Sequence, residues 1–294
     1  MITVMGATGN VGRKIVQGLL AAGEPVRAVG RNERVLAELA AAGAEPVAGD
    51  AGDAAFLTAA FRGADAVHTM LPYSATAPDF RAEQAALGTA IATAVRESGV
   101  RKVVAQSSLG AELAEGTGFI AASLHPHERR LRALDGVDVL LLRPTLFFES
   151  VVAGAAGVEA TGVYADVIAP DVPVPMISTR DVAAAAVEAL RARDWTHGEV
   201  RELLGPRDLT YPEAARILGA AMGRPDLEYV QLPGAEMAAA LVQAGFSPDT
   251  AALQVEMGEA ISSGTITPQG GRTHRNTTPT RFEDVVSELL EEAS

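Results

Sequence analysis

The stretch Gly6-Ala7-Thr8-Gly9-Asn10-Val11-Gly12 decides how this chain reads, because of what stands on either side of it. It directly follows a short apolar run, Ile2-Thr3-Val4-Met5, and it opens a segment where Val11, Ile15 and Leu19 recur at helical spacing. A dinucleotide at such a junction needs a tight turn, close backbone approach to its pyrophosphate, and close packing of helix on strand. Glycine supplies all three, and the helix N-terminus adds aligned N–H donors. The spacing is Gly-x-x-Gly-x-x-Gly, not the Gly-x-Gly-x-x-Gly of the older dehydrogenases. A glycine-rich turn alone is a weak signal; its place at the first strand–helix junction makes it specific. Gly6, Thr8, Gly9, Asn10, Val11 and Gly12 are therefore the expected phosphate-binding residues.

Working outward, apolar runs at 2–5, 25–29, 45–48, 66–70, 102–106 and 137–143 read as strands. Helical patterns separate them, the longest over 77–98. Strands joined by helices of this length require right-handed crossovers. The expected fold is α/β: a doubly wound parallel sheet of Rossmann type. After about residue 145 the character changes. Residues 153–163 are rich in glycine and alanine, Pro170, Pro173 and Pro175 punctuate the next stretch, and helices fit 179–192, 212–222, 233–244, 248–263 and 280–292. The division is a dinucleotide-binding domain over 1–150 and a smaller, mainly helical C-terminal lobe over 151–294. Residues 176–192 or so are expected to pack back on the first domain.

Composition narrows the function. The 294 residues are 48% hydrophobic and 21% charged, with 24 basic against 37 acidic residues and a formal net charge of −13. That field disfavours nucleic acid and anionic membrane as partners. There are no cysteines, which excludes disulfides, thiolate metal sites and a cysteine nucleophile. No basic segment followed by an apolar one opens the sequence, and no run reaches the about 18 apolar residues of a membrane span. The expectation is a cytoplasmic protein, monomer or homodimer.

The second strand selects the cofactor. An NAD site usually places an acid near its end to hold the ribose 2′-OH. Here the sequence is Ala28-Val29-Gly30-Arg31-Asn32, and Arg31 can grip a 2′-phosphate with its planar fork, with Arg13 assisting. NADP(H) is expected over NAD(H). Asp50 is placed for an adenine contact and Asp53 to cap the next helix. Leu71, Pro72 and Ser107 follow the fourth and fifth strands, at the carboxyl edge where an open α/β sheet takes its ligand.

Together with these features, Gln106-Ser107-Ser108, Leu142-Arg143-Pro144, Phe147-Phe148-Glu149 and Ser178-Thr179-Arg180-Asp181-Val182 resemble the NmrA-like family. This is an atypical branch of the short-chain dehydrogenase/reductase superfamily, and the similarity extends over nearly the whole chain. The resemblance implies an NAD(P)H-dependent oxidoreductase; quinone reductases, azoreductase-like proteins and redox-sensing regulators belong to the branch. Typical members of the superfamily use a tyrosine with a lysine four positions later as proton donor and pKa-lowering partner. Tyr73, Tyr164, Tyr211 and Tyr229 are followed at that spacing by Ala77, Ile168, Ala215 and Pro233, and the two lysines, Lys14 and Lys102, lie elsewhere. The usual relay is absent.

Hydride transfer tolerates that absence if the acceptor is a quinone, whose anion is stabilised by its ring and protonated by water. Tyr73, Phe147, Phe148 and Met176 stand near strand ends and are expected to wall an apolar or aromatic substrate pocket. His125, in His125-Pro126-His127-Glu128, reads as the cap of a helix whose N-terminus favours a neutral imidazole, and is the candidate proton donor. No metal spacing occurs, because His125 and His127 point about 200° apart on a helix. The function read from the sequence is NADPH-dependent reduction of a quinone-like or conjugated small molecule. The rivals are a non-catalytic NADP(H) sensor with a protein partner, or a reductase or isomerase of one biosynthetic intermediate.

Overall fold

Each apolar run read as a strand forms one, and the helices between them cover both faces of a single sheet. The computed structural model describes residues 1–293; residue 294, the end of the expected lobe, lies outside the described residues. The order is β1 (Ile2–Met5), α1 (Asn10–Ala21), β2 (Val26–Gly30), α2 (Glu33–Ala41), β3 (Glu45–Ala48), α3 (Ala54–Phe61), β4 (Ala66–Thr69), α4 (Phe80–Ser98), β5 (Lys102–Gln106), α5 (His125–Arg132) and β6 (Asp138–Pro144). There follow β7 (Leu146–Phe147), α6 (Phe148–Gly154), α7 (Val158–Thr161), β8 (Tyr164–Asp166), β9 (Val174–Ile177), α8 (Thr179–Ala192) and β10 (Glu199–Leu203). The chain ends with β11 (Asp208–Leu209), α9 (Tyr211–Ala221), β12 (Tyr229–Gln231), α10 (Gly234–Gln243), α11 (Pro248–Ser262) and α12 (Phe282–Ala293).

The main sheet runs β10-β6-β5-β4-β1-β2-β3, and every pair in it is parallel. The chain moves outward from β1 to β3, then crosses to β4 on the other side of β1. That reversal leaves a crevice at the carboxyl ends of β1 and β4, where such sheets bind ligands. Being covered on both faces, the central strands are apolar on both. Ile15, Leu19, Val182, Leu140 and Leu142 fill one side, under α1, α2 and α8. Phe61, Ile91, Leu131 and Leu141 fill the other, under α3, α4 and α5.

Two features depart from the sequence reading. The sheet has a seventh strand, β10, contributed from beyond residue 150. Glu199, Arg201 and Glu202 leave it no apolar run, and as an edge strand it stays partly exposed. The helix carrying His125 also starts earlier than expected. A π-helical turn, Ile120–Leu124, leads straight into α5. It stands where the ring of Pro126 would otherwise press on the Ala122 carbonyl one turn back, and the wider turn relieves that contact.

The C-terminal lobe has its own core of Phe148, Val158, Tyr164, Met176, Leu218 and Phe282. It returns to the sheet through α8, which packs on α1. It is also tied to the loop after β4: Ser247 N donates to Ala75 O at 2.9 Å, and Phe80 N to Asp249 Oδ2 at 2.8 Å. Gly118 (φ 57°) is required at the foot of the π-turn, because a Cβ there would lie 2.0 Å from Leu253 O on α11. Among the described residues no helix is long and apolar enough to cross a membrane.

Candidate active site

The loop between β1 and α1 is a cradle that only glycine can form. Gly6 takes φ 72°, and a Cβ on Gly12 would stand 2.1 Å from Gly6 O. Gly9 N donates to Gly6 O at 2.9 Å, and Ala7 N ties the loop to Val29 O at 3.0 Å. Gly9 is the N-cap of α1 and offers no side-chain acceptor, so the first-turn N–H groups keep their donors for a ligand. A cleft of about 680 Å³ opens there, lined by Thr8, Gly9, Asn10, Arg13, Lys14 and Glu149 among others. The cradle and the basic side chains fit a pyrophosphate. Val11 is turned into the core, so it can offer only its backbone. Glu149 was not read as a site residue; its carboxylate accepts from Thr179 N at 2.9 Å and Ser178 Oγ at 3.2 Å, satisfying the start of α8.

Arg31 stands exposed just past β2, with no ion-pair partner among the described residues. Arg13 pairs with Glu38 on α2 at 2.8 Å, and Arg34 meets the same carboxylate at 3.3 Å. Asp50 is exposed and closes a turn, accepting from Gly52 N at 2.8 Å. Asp53 caps α3 through Ala55 N and Phe56 N at 2.9 and 3.0 Å.

Past β4, Leu71 belongs to the core and Pro72 O accepts from Gln84 Nε2 at 2.8 Å. Tyr73 is 45% exposed and meets Phe80 and Phe119 with ring centroids 5.7 and 5.6 Å apart. Partial burial pushes its hydroxyl up to about 12, so it stays protonated. Of the three rings only Tyr73 is exposed; Phe119 is half-buried and Phe80 is buried behind it.

Past β5 lies a buried polar network. Ser107 Oγ donates to Glu128 Oε1 at 2.6 Å, and Arg143 grips the same carboxylate through Nε at 2.8 Å and Nη2 at 2.6 Å. Arg143 Nη1 reaches Glu112 at 2.7 Å, whose other oxygen takes Gln269 Nε2 at 3.0 Å. Burial acts against the guanidinium's charge, but the hydrogen bond and charge of Glu128, with Glu112 and Glu202 nearby, hold its pKa above the ordinary value. The signal for this network was an arginine closing an apolar strand, Leu140-Leu141-Leu142-Arg143, since a charge so placed needs a partner.

Three expectations need correction. His125 is not at a helix N-terminus, because the π-turn precedes it. Its Nδ1 instead donates to Ala111 O at 3.0 Å; a carbonyl only accepts, so neutral His125 presents a bare Nε2 lone pair. Phe148 is 1% exposed and packs on Phe282 at 5.2 Å, inside the lobe core. Met176 is fully buried in the same core. Neither side chain faces an open pocket; β7 and α6 turn inward to close the lobe. Phe147 remains half-buried at the edge of the sheet core.

Among the described residues the lysines and the remaining tyrosines have other partners. Lys102 is held at the amino edge by Asp138 at 3.0 Å, over the Trp195 ring. Lys14 Nζ returns to Asn10 O at 3.2 Å. Tyr164, Tyr211 and Tyr229 form a cluster of their own in the lobe, with centroids 5.4 to 6.3 Å apart.

Comparison with known proteins agrees with this architecture. A family model described as NAD(P)H-binding matches residues 6–193. The chain is 33% identical over 264 residues to a (4-alkanoyl-5-oxo-2,5-dihydrofuran-3-yl)methyl phosphate reductase of Streptomyces griseus, covering 90% of this chain and 88% of that protein. It is 29% identical over 232 residues to an NAD(P)H azoreductase of Xenophilus azovorans, covering 79% and 77%. A solved NADPH-dependent quinone oxidoreductase of Escherichia coli, in complex with NADPH, aligns with TM-score 0.81 at 25% identity over 99% of this chain and 100% of that one.

Proposed function

The chain belongs to the NAD(P)H-binding family, and on that premise we propose that it is an NmrA-like, NADPH-preferring reductase of conjugated small molecules such as quinones. That it is an NAD(P)H-dependent oxidoreductase follows from its relatives. The substrate class rests chiefly on one observation: the exposed ring of Tyr73 at the carboxyl edge beside β4, backed by the half-buried Phe119 and the buried Phe80. The relatives' names span a quinone, an azo compound and an oxo-dihydrofuran, all with π-systems that can take a hydride and spread the resulting charge.

The dinucleotide, when bound, supplies the hydride. The chain's own part is to hold and shield. The glycine cradle and the first turn of α1 take the pyrophosphate, and Arg31, with Arg13, takes the 2′-phosphate. Tyr73, supported by Phe119 and the buried Phe80, offers its ring to a flat acceptor. Phe147 borders the same edge from the other side. His125 Nδ1 is engaged with Ala111 O, and protonation of the reduced product is assigned to water.

The test is NADPH oxidation against a panel of quinones and conjugated carbonyl compounds, in the protein and in Tyr73→Ala. Turnover with a raised KM in the variant is the expected result. Tight NADPH binding with no oxidation by any acceptor would overturn the reading in favour of a sensor.

A further inference from the structure

Ser107 is a hydroxyl whose proton is already spoken for. We propose that Ser107 is a fixed hydrogen-bond acceptor for an N–H of the nicotinamide carboxamide, held in that role by Glu128 and Arg143; the proposal rests on the dinucleotide reading above.

A serine hydroxyl has one proton to donate and two lone pairs to offer. Ser107 Oγ lies 2.6 Å from Glu128 Oε1, and a carboxylate oxygen can only accept, so the proton points there. Arg143 allows no other choice, since its Nε donates to that oxygen at 2.8 Å and its Nη2 to the other at 2.6 Å. The side chains of Arg143 and Glu128 are 7% and 5% exposed, too deep to exchange partners with water. The backbone is fixed as well, with Ser107 N donating to Leu142 O at 2.7 Å. A hydroxyl locked in this way cannot polarise a substrate carbonyl. It can only receive an N–H or O–H.

The sheet order says which part of the ligand lies nearby. Arg31 follows β2 on one side of the glycine cradle, and Ser107 follows β5 on the other, beyond β4. A dinucleotide with its adenosine phosphate at Arg31 therefore extends its nicotinamide half toward Ser107. On that half the donors are the carboxamide N–H groups and the ribose hydroxyls. The carboxamide is the one fixed rigidly to the reacting ring, so accepting from it sets the ring's orientation. Glu128 and Arg143 are positioning residues in this scheme.

The experiment measures dissociation constants for NADPH and for its reduced 3-acetylpyridine analogue, in which a methyl group replaces the carboxamide amine and the ribose is unchanged. Ser107→Ala is expected to weaken NADPH about 3- to 10-fold, the loss of one ordinary hydrogen bond, and to leave the analogue within about 2-fold. Glu128→Leu removes the acceptor of the Ser107 proton and frees the hydroxyl to donate. It should shift preference toward the analogue, whose ketone accepts; a purely structural role would weaken both ligands alike. Thermal melts check that each variant is folded, and Ser107→Ala carries the test alone if Glu128→Leu is not. Equal losses for both ligands in Ser107→Ala, or none for either, would overturn the assignment while leaving the cofactor reading intact. Failure of the unsubstituted protein to bind either ligand would overturn both.

Discussion

Two arginine–carboxylate groups stand at the carboxyl edge of one sheet, built in opposite ways. Beside β2, Arg13, Arg34 and Glu38 meet in solvent, with their side chains 39% exposed or more, and Arg31 waits nearby unpaired. Beside β5 and β6, Arg143 and Glu128 are buried and doubly hydrogen-bonded. An exposed pair gains little from its attraction and gives up its partner cheaply. A buried pair is costly to form and far costlier to break, because either member left alone is a charge without water. The first kind suits a site that must hand its arginines to an incoming phosphate. The second suits a site that must hold one atom still.

The largest effect should come from breaking the buried group. Arg143→Leu leaves Glu128 buried without its counter-ion, and is expected to cost about 3–5 kcal/mol of unfolding free energy in denaturant titrations. A cost below about 1 kcal/mol would mean that the pair is not desolvated as described.

The buried side of the comparison extends to two histidines, and pH probes them. His68, inside the sheet, is held down to about 4 by burial, against a weaker upward pull from its bond to Met5 O. His127, between α4 and α5, is held down to about 3 by burial and by Arg130. Both are neutral in the folded state at pH 7. Below the unfolded value of about 6.5 the unfolded chain takes up protons that the folded chain refuses, so stability is lost as pH falls toward the folded values. Between pH 7 and pH 5 each should cost roughly 2 kcal/mol. His127→Met should flatten its share of that slope, and an unchanged slope would contradict the burial argument.

The exposed group is read through ligand binding. Arg31→Asp should weaken NADPH by about 10- to 100-fold, the value of a charge-assisted hydrogen bond, and change NADH far less. Equal losses for the two cofactors would remove Arg31 from the 2′-phosphate role. Smallest of all, Glu38→Gln releases Arg13 and Arg34. It should tighten NADPH by only a few-fold and move stability by less than about 1 kcal/mol, a change best seen at low salt.

Legibility in the sequence followed the same division. Apolar runs and glycine spacing report burial on both faces of a parallel strand, so β1 to β6 and the phosphate cradle could be read directly. Strand β10 could not, because an edge strand may carry Glu199, Arg201 and Glu202 without penalty. Tyr73 is visible as an aromatic after a strand, yet its edge-on contact with Phe119 depends on a loop path that no local pattern encodes. Phe148 and Met176 were misassigned because a hydrophobic residue near a strand end serves a pocket wall and a lobe core equally well until the chain's direction is known. His125 failed for a reason visible only in three dimensions: Pro126 commonly opens a helix, and here a π-turn lets it sit inside one.

Strand β10 also bears on how the molecule comes to be made. It pairs with β6 over five consecutive residues, from Glu199 beside Leu140 to Leu203 beside Pro144. A ribosome releases β6 well before β10, and until residue 203 emerges, the outer edge of β6 shows an unpaired row of backbone groups on an apolar strand. Such an edge is a template for another chain. The nascent protein is thus most exposed to mispairing in the interval when its dinucleotide cradle is already complete, and early cofactor capture would stabilise the sheet through that interval.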